Sequence, residues 1–230
     1  MTPYTTQYTI IPELSSLSGL LSLAQDAAGQ HCDLLGYPWE VLQERNLFWA
    51  VIRTSVKLNR LPRVGEVISV KTWPMPTAKT AYPRQVELFD ETGACIAQVQ
   101  SLWILMDTES RKMLLPGRSG VEVDGILLGA ELETPKSLPP VKEGSQVLRT
   151  VTADKLDRNG HMNNARYMDW VQEILGERIP KSFTVNYLSE ALCGDELILQ
   201  FTETAETLAL DILRDGHRIF AAKAQLTVQN

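Results

Sequence analysis

The sequence predicts an α+β fold made of two copies of one unit, each a helix followed by a run of antiparallel strands. Three observations predict it. Apolar residues recur at helical spacing twice, near Leu17–Leu35 and over Asn163–Arg178. Each helical stretch is followed by segments with the two-residue alternation of strands. The two halves also match in local sequence. Val64-Gly65-Glu66-Val67-Ile68-Ser69-Val70 parallels Cys193-Gly194-Asp195-Glu196-Leu197-Ile198-Leu199, and Asp90-Glu91-Thr92-Gly93-Ala94-Cys95-Ile96 parallels Leu213-Arg214-Asp215-Gly216-His217-Arg218-Ile219. In both halves a glycine falls at a hairpin turn, where a positive φ costs it little.

The first strand is Tyr4–Ile11, ended by Pro12. Ser15 and Ser16 are N-cap residues for a helix whose Leu17, Leu20, Leu21, Ala24, Ala27 and Ala28 share one face, and Gly36 and Pro38 stop it. A short second helix is expected over Pro38–Glu44. Strands follow at Phe48–Leu58, Val67–Trp73, Arg84–Asp90 and Ala94–Asp107. From Leu114 to Gly144 the pattern thins, and the prolines between Glu133 and Gly144 read as a linker. In the second half a helix over Asn163–Arg178, with Tyr167, Trp170, Val171 and Ile174 on one face, precedes strands at Ser182–Ser189, Glu196–Glu203, Leu208–Arg214 and Arg218–Val228. The expected organisation is an N-terminal repeat over 1–132, a linker over 133–145 and a C-terminal repeat over 146–230. A curved antiparallel sheet can wrap a helix that is apolar on one face, and two such units can join sheets edge to edge, removing two exposed edges. That arrangement is the double, or tandem, hotdog.

Composition narrows the function classes. Of 230 residues, 44% are apolar and 22% charged, as in an ordinary globular protein. The net charge of −6 argues against a nucleic-acid binder, which needs a basic face. No stretch approaches the ~20 apolar residues that span a bilayer, so no membrane partner is expected. Met1 to Pro12 lacks a basic segment followed by an apolar run, and no secretory or organelle leader is expected from it. Cys32, Cys95 and Cys193 are scattered and odd in number, which argues against a disulfide framework and fits a reducing cytoplasm. His31, His161 and His217 show no metal-ligand spacing, and no glycine-rich phosphate loop occurs. Neither a metal nor a cofactor is implied.

The densest polar run is Asp154-Lys155-Leu156-Asp157-Arg158-Asn159-Gly160-His161-Met162-Asn163-Asn164, just before the second helix. Taken singly, Asp157 is an ordinary cap residue, the asparagines are turn formers and His161 is a surface histidine. Taken together, a carboxylate, a carboxamide and an imidazole at alternate positions can face one spot, hold a water, take its proton and orient a carbonyl. Amides at the start of the helix, near Gly160–Asn163, are expected to stabilise an oxyanion.

The run Leu156-Asp157-x-Asn159-x-His161-Met162-Asn163-Asn164-x-x-Tyr167-x-x-Trp170 resembles the signature of the acyl–acyl carrier protein thioesterases, the fatty-acyl thioesterase family of plants and bacteria. The tandem repeat and the chain length are also similar to that family. The resemblance implies hydrolysis of the thioester of a fatty acyl chain on acyl carrier protein, with no cofactor. It implies that Asp157, Asn159 and His161 belong to the active site. A further family carboxylate lies in a Tyr-x-x-Glu segment, matched here by Tyr187-Leu188-Ser189-Glu190, which makes Glu190 the fourth residue. Some plant members carry a cysteine directly after that glutamate. Here Ala191 stands there and Cys193 lies two positions on, so Cys193 is expected to be a small buried residue and not a nucleophile.

In the reaction so implied, His161 and Asn159 orient the acyl carbonyl, and Glu190 or Asp157 activates water or, for Asp157, attacks directly. The sequence leaves general-base and covalent routes both open. The N-terminal repeat lacks the motif and is expected to bind the acyl chain, with Trp49, Val51 and Trp103 as wall or plain core. Lys155, Arg158, Arg166, Arg178 and Lys181 lie near the motif and can dock an acidic carrier protein or form a solvated face. Competing readings are an acyl-coenzyme A thioesterase, a non-catalytic acyl-binding hotdog protein and a hotdog dehydratase. A homodimer is also expected, since hotdog sheets often pair.

Overall fold

The computed structural model describes residues 2–227. The chain divides into two compact units between Pro135 and Lys136. The first contains β1 (Tyr4–Thr9), α1 (Leu17–Leu34), α2 (Trp39–Glu44), β2 (Leu47–Leu58), β3 (Val67–Pro74), β4 (Tyr82–Phe89), β5 (Cys95–Asp107) and β6 (Met113–Leu114). Its sheet is antiparallel in the order β1-β3-β4-β5-β2, with β6 on β5. The second contains β7 (Ser145–Thr150), α3 (Tyr167–Leu175), β8 (Pro180–Tyr187), β9 (Glu196–Glu203), β10 (Thr207–Arg214) and β11 (His217–Leu226). Its order is β7-β9-β10-β11-β8, again antiparallel. Matching α1 to α3 and each strand to its counterpart, the two units have the same topology.

The helices form where the apolar spacing requires. Ser16 caps α1, its Oγ accepting the Gly19 N–H at 2.9 Å. Leu17, Leu20, Leu21, Ala24, Ala27 and Ala28 are buried, and the helix packs against β3. Each fully buried leucine contributes roughly 2 kcal/mol. Gly19 is needed for close approach, because a Cβ there would lie 2.4 Å from the Leu14 Cα. In the second unit Tyr167, Met168, Trp170, Val171 and Leu175 are the buried face of α3. Tyr167 stacks on Phe220 of β11 with ring centroids 4.7 Å apart and meets Tyr187 of β8 edge-on at 6.1 Å.

Three expectations need correction. The helix expected over Asn163–Arg178 is shorter at both ends. Asn163 caps a single 3-10 turn, Asn164–Arg166, the α-helix begins at Tyr167, and Gly176 with φ 62° ends it. The strand β7 has no counterpart in the sequence reading, because Val147 and Leu148 are adjacent and break the alternation. Yet it is the repeat of β1. Ile10 after β1 exchanges backbone bonds with Gly65 and Glu66 at 2.8 and 2.9 Å, and Val151 after β7 does so with Gly194 and Asp195 at 2.9 and 3.0 Å. The last strand ends at Leu226, and Val228, expected within it, lies outside the described residues. Trp49 and Trp103 pack with Leu42, Tyr82, Leu105 and Val121 as core.

The segment just after the division is tied to its own unit by buried polar groups. Asn186 Oδ1 accepts the Leu138 N–H at 2.8 Å and Asn186 Nδ2 donates to the Lys136 carbonyl at 3.1 Å. Asp211 Oδ2 accepts the Val141 N–H at 2.8 Å, and Asp211 Oδ1 lies 2.8 Å from Arg218. Asn186 and Asp211 are 1% and 2% exposed, so an unmade bond there would go without water to replace it. Asn186→Ala is expected to lower unfolding free energy by about 2 kcal/mol, read as a lower urea midpoint.

The first unit holds a buried polar group of another kind. Arg84 of β4, almost fully buried, donates to Thr72 Oγ1 at 3.1 Å and lies 3.1 Å from His31 Nδ1 of α1. Burial, with the Arg84 charge behind it, pushes the His31 pKa from 6.5 down to about 4. The unfolded chain therefore binds a proton as pH falls below 6.5, while the folded chain resists until about 4. Stability is expected to fall as pH is lowered through that window. Urea titrations at stepped pH should show it, with a shallower fall in His31→Gln.

Candidate active site

Asp157-Arg158-Asn159-Gly160 forms a tight turn whose residue types are those the backbone demands. The Gly160 N–H donates to the Asp157 carbonyl at 3.1 Å, the Asp157 N–H donates to the His161 carbonyl at 2.7 Å, and Gly160 has φ 78°. Aspartate first, asparagine third and a left-handed glycine fourth is the composition of such a turn. The Asp157 side chain reinforces it, Oδ1 accepting the Asn159 N–H at 2.8 Å and the His161 N–H at 3.2 Å. Leu156 and Met162 pair across the base of the loop.

The loop leans on the segment after β8. The Met162 N–H donates to the Ala191 carbonyl at 2.8 Å, and His161 pairs with Leu192 as an antiparallel bridge. This contact brings His161 Nε2 to 3.3 Å from Glu190 Oε2. Their side chains are 24% and 43% exposed, so the pair is partly open to solvent. Burial pushes the hydroxyls of Tyr167 and Tyr187, whose rings meet edge-on at 6.1 Å, above the usual phenol range and keeps them protonated.

The structure thus brings Asp157, His161 and Glu190 together, the first through the loop backbone and the other two by side-chain contact. Among the described residues, Asn159 joins the bonding only through its backbone N–H, and its side chain is exposed at the loop tip. The amides expected to form an oxyanion site are occupied. Gly160 donates to Asp157 O, His161 to Asp157 Oδ1, Met162 to Ala191 O and Asn163 to Lys155 O at 2.8 Å. The loop closes on itself before the helix begins, which is why those groups are spent. Cys193, expected as a buried residue, is exposed in the turn 192–195, while Ala191 is fully buried. Of the basic residues near the motif, Lys155 and Arg166 both meet Asp169, at 3.4 and 3.5 Å, and Arg178 meets Glu203. Among the described residues no three His, Cys, Asp or Glu side chains converge as metal ligands, and no helix is long and apolar enough to cross a membrane.

Two residues that the sequence reading did not single out support this site. Arg214, the last residue of β10, donates to Asp195 at 2.7 Å and to the Glu190 carbonyl at 3.1 Å. Burial would raise the Asp195 carboxyl, but the Leu192 N–H and the Arg214 guanidinium outweigh it and hold the group below the usual carboxylate range. The signal was present in the repeat, where Asp195 aligns with Glu66.

Comparison with known proteins bears on what such a loop belongs to. Residues 11–115 match the acyl-ACP thioesterase N-terminal domain, and residues 140–227 match the acyl-ACP thioesterase C-terminal domain. The chain belongs to the acyl-ACP thioesterase family. Among curated relatives of this family, a chloroplastic palmitoyl-acyl carrier protein thioesterase of Gossypium hirsutum is 27% identical over 219 residues, covering 84% of this chain and 51% of the relative. The chain spans about half the length of the curated relatives it matches. Among solved structures, an acyl-ACP thioesterase from Bacteroides thetaiotaomicron superposes with a TM-score of 0.88 at 22% identity, covering 98% of each chain. A 12:0-ACP thioesterase from Umbellularia californica superposes with a TM-score of 0.80 at 21% identity, covering 99% of this chain and 98% of that one. These likenesses show the fold, the tandem hotdog of the acyl-ACP thioesterases.

Proposed function

We propose that this chain hydrolyses the thioester of a fatty acyl group carried on acyl carrier protein, releasing free fatty acid and so ending chain elongation. The observation that carries the reading is the 3.3 Å contact between His161 Nε2 and Glu190 Oε2, made by two segments separate in sequence and held by the motif loop. A water beside this pair gives up its proton to it, and the resulting hydroxide attacks the acyl carbonyl carbon. The carbon–sulfur bond then breaks, and the thiolate of the carrier's prosthetic group takes the proton back. The Asn159 carboxamide, at the exposed loop tip, orients the carbonyl. Asp157 shapes the loop with the oxygen that already accepts two N–H groups, which favours the general-base route over direct attack by Asp157.

The N-terminal repeat, 1–132, binds the acyl chain, and the C-terminal repeat, 146–230, reached through 133–145, carries the chemistry. Lys155, Arg158, Arg166, Arg178 and Lys181, the basic residues near the motif, take part in docking the acidic carrier. Three thiols with no disulfide among the described residues fit a reducing compartment, and we take the cytoplasm to be the site of action. Two copies are taken to associate as a homodimer.

The test is thiol release from one series of acyl chains presented on acyl carrier protein and on coenzyme A. The reading predicts faster turnover on the carrier protein at every chain length that is cleaved. Release from coenzyme A alone would keep the chemistry and discard the partner.

A further inference from the structure

The turn that carries Glu190 into the site is held by groups that the reaction itself does not use. Asp195 Oδ2 accepts the Leu192 N–H at 2.9 Å and an Arg214 N–H at 2.7 Å. The same guanidinium nitrogen donates to the Glu190 carbonyl at 3.1 Å. One ion pair therefore ties together both ends of the segment 190–195, and within that segment Ala191 and Leu192 make the backbone contacts with Met162 and His161. Arg214 is fixed from behind by the pairing of β10 with β11, where it lies opposite His217.

The N-terminal repeat offers an internal comparison. There Glu66 Oε2 accepts the Arg63 N–H at 2.9 Å, as Asp195 accepts that of Leu192, and the glycines before the two carboxylates have φ 85° and 89°. Glu66 also takes an arginine, but this is Arg60, whose guanidinium donates besides to Asp90 at 2.8 Å and to the neighbouring Leu61 carbonyl at 3.1 Å. The carboxylate turn is common to both repeats. What the second repeat adds is an arginine from a strand end, bonded to the carbonyl of the residue that meets His161.

We infer that Asp195 and Arg214 are positioning residues, which clamp the backbone of Glu190 where its carboxylate reaches His161. This rests on the reading of His161 and Glu190 as the reacting pair. The pair is only partly solvated, its side chains 32% and 21% exposed, and its contribution to folding is expected to be modest. Displacing a reacting group by about 1 Å can cost about a hundredfold in rate. The clamp is therefore expected to act on kcat far more than on Tm.

The experiment compares Arg214→Met, Asp195→Ala, Arg214→Lys and Arg60→Met on acyl carrier protein substrate, with Arg214→Met also placed in a Glu190→Gln background. Arg214→Met and Asp195→Ala are expected to lose about a hundredfold in kcat, with KM little changed and Tm close to wild type. Arg214→Lys, which can still donate, recovers most of the loss. Arg60→Met, at the equivalent turn of the other repeat, keeps the wild-type kcat. In the Glu190→Gln background the Arg214 change adds no further loss, because the clamp acts through Glu190. The crystal structure of Arg214→Met shows His161 and Glu190 moved apart from 3.3 Å to beyond hydrogen-bond reach. Full activity in Arg214→Met with that contact intact overturns the inference, as does an undiminished loss in the Glu190→Gln background. If Glu190→Gln itself turns over like wild type, the reading of the pair fails, and the crystal structure alone decides the clamp. A retained contact refutes it and an opened one upholds it.

Discussion

His161→Ala is expected to lose roughly a thousandfold in kcat on acyl carrier protein substrate, the scale of a positioned general acid–base. The imidazole touches a carboxylate from another segment, at 3.3 Å from Glu190. Its backbone is held by Asp157 and Leu192, so truncation leaves the loop in place. The variant should therefore melt as wild type does, bind the acyl carrier protein as tightly, and fail in the chemical step. Steady-state kinetics beside a thermal melt makes the check. A loss of Tm matching the loss of rate would mean that His161 is structural.

The second large effect separates two roles for Asp157. Its Oδ1 accepts the N–H groups of Asn159 and His161. Asp157→Ala removes both bonds from the turn that aims His161, and about a hundredfold loss in kcat is expected from the misplaced imidazole. Asp157→Asn keeps an oxygen in the same place, and asparagine is equally at home in the first position of such a turn. If the role is to shape the loop, Asp157→Asn stays within about tenfold of wild type. If Asp157 attacks the carbonyl, the amide cannot replace it, and Asp157→Asn is as inactive as Asp157→Ala. Measuring kcat for both variants side by side decides between the routes that the sequence leaves open.

Much of the fold is legible because it depends on periodicity. The buried face of α1 and the long strands β2 and β5 follow directly from apolar spacing. The elements that escape do so for local reasons. The edge strand β7 has one neighbour and an exposed Leu148 beside Val147, so apolar and polar residues do not alternate along it although burial does, and only its correspondence with β1 reveals it. The start of α3 is misread because asparagines cap a 3-10 turn as well as they cap an α-helix.

The site divides in the same way. Asp157, His161 and Glu190 are readable from the family motif, and the structure adds that His161 and Glu190 touch. What the motif hides is that the turn uses its own amides. A sequence shows which residues carry an N–H but not which N–H groups remain unspent, so the oxyanion expectation at Gly160–Asn163 could not be checked from it. Arg214 escapes for a related reason, since it comes from a strand end far from the motif in sequence and acts on a carbonyl that has no sequence signature.

The measurement that tests the central claim most directly is the parallel quantification of free thiol and free fatty acid from acyl-acyl carrier protein incubated with the wild-type chain in water-based buffer, with no other acyl acceptor present. The account predicts both products in equal amounts, over many turnovers, at a rate that falls in His161→Ala. Tight acyl binding with neither product would contradict it and make the chain a binding protein, and thiol without fatty acid would make it a transferase.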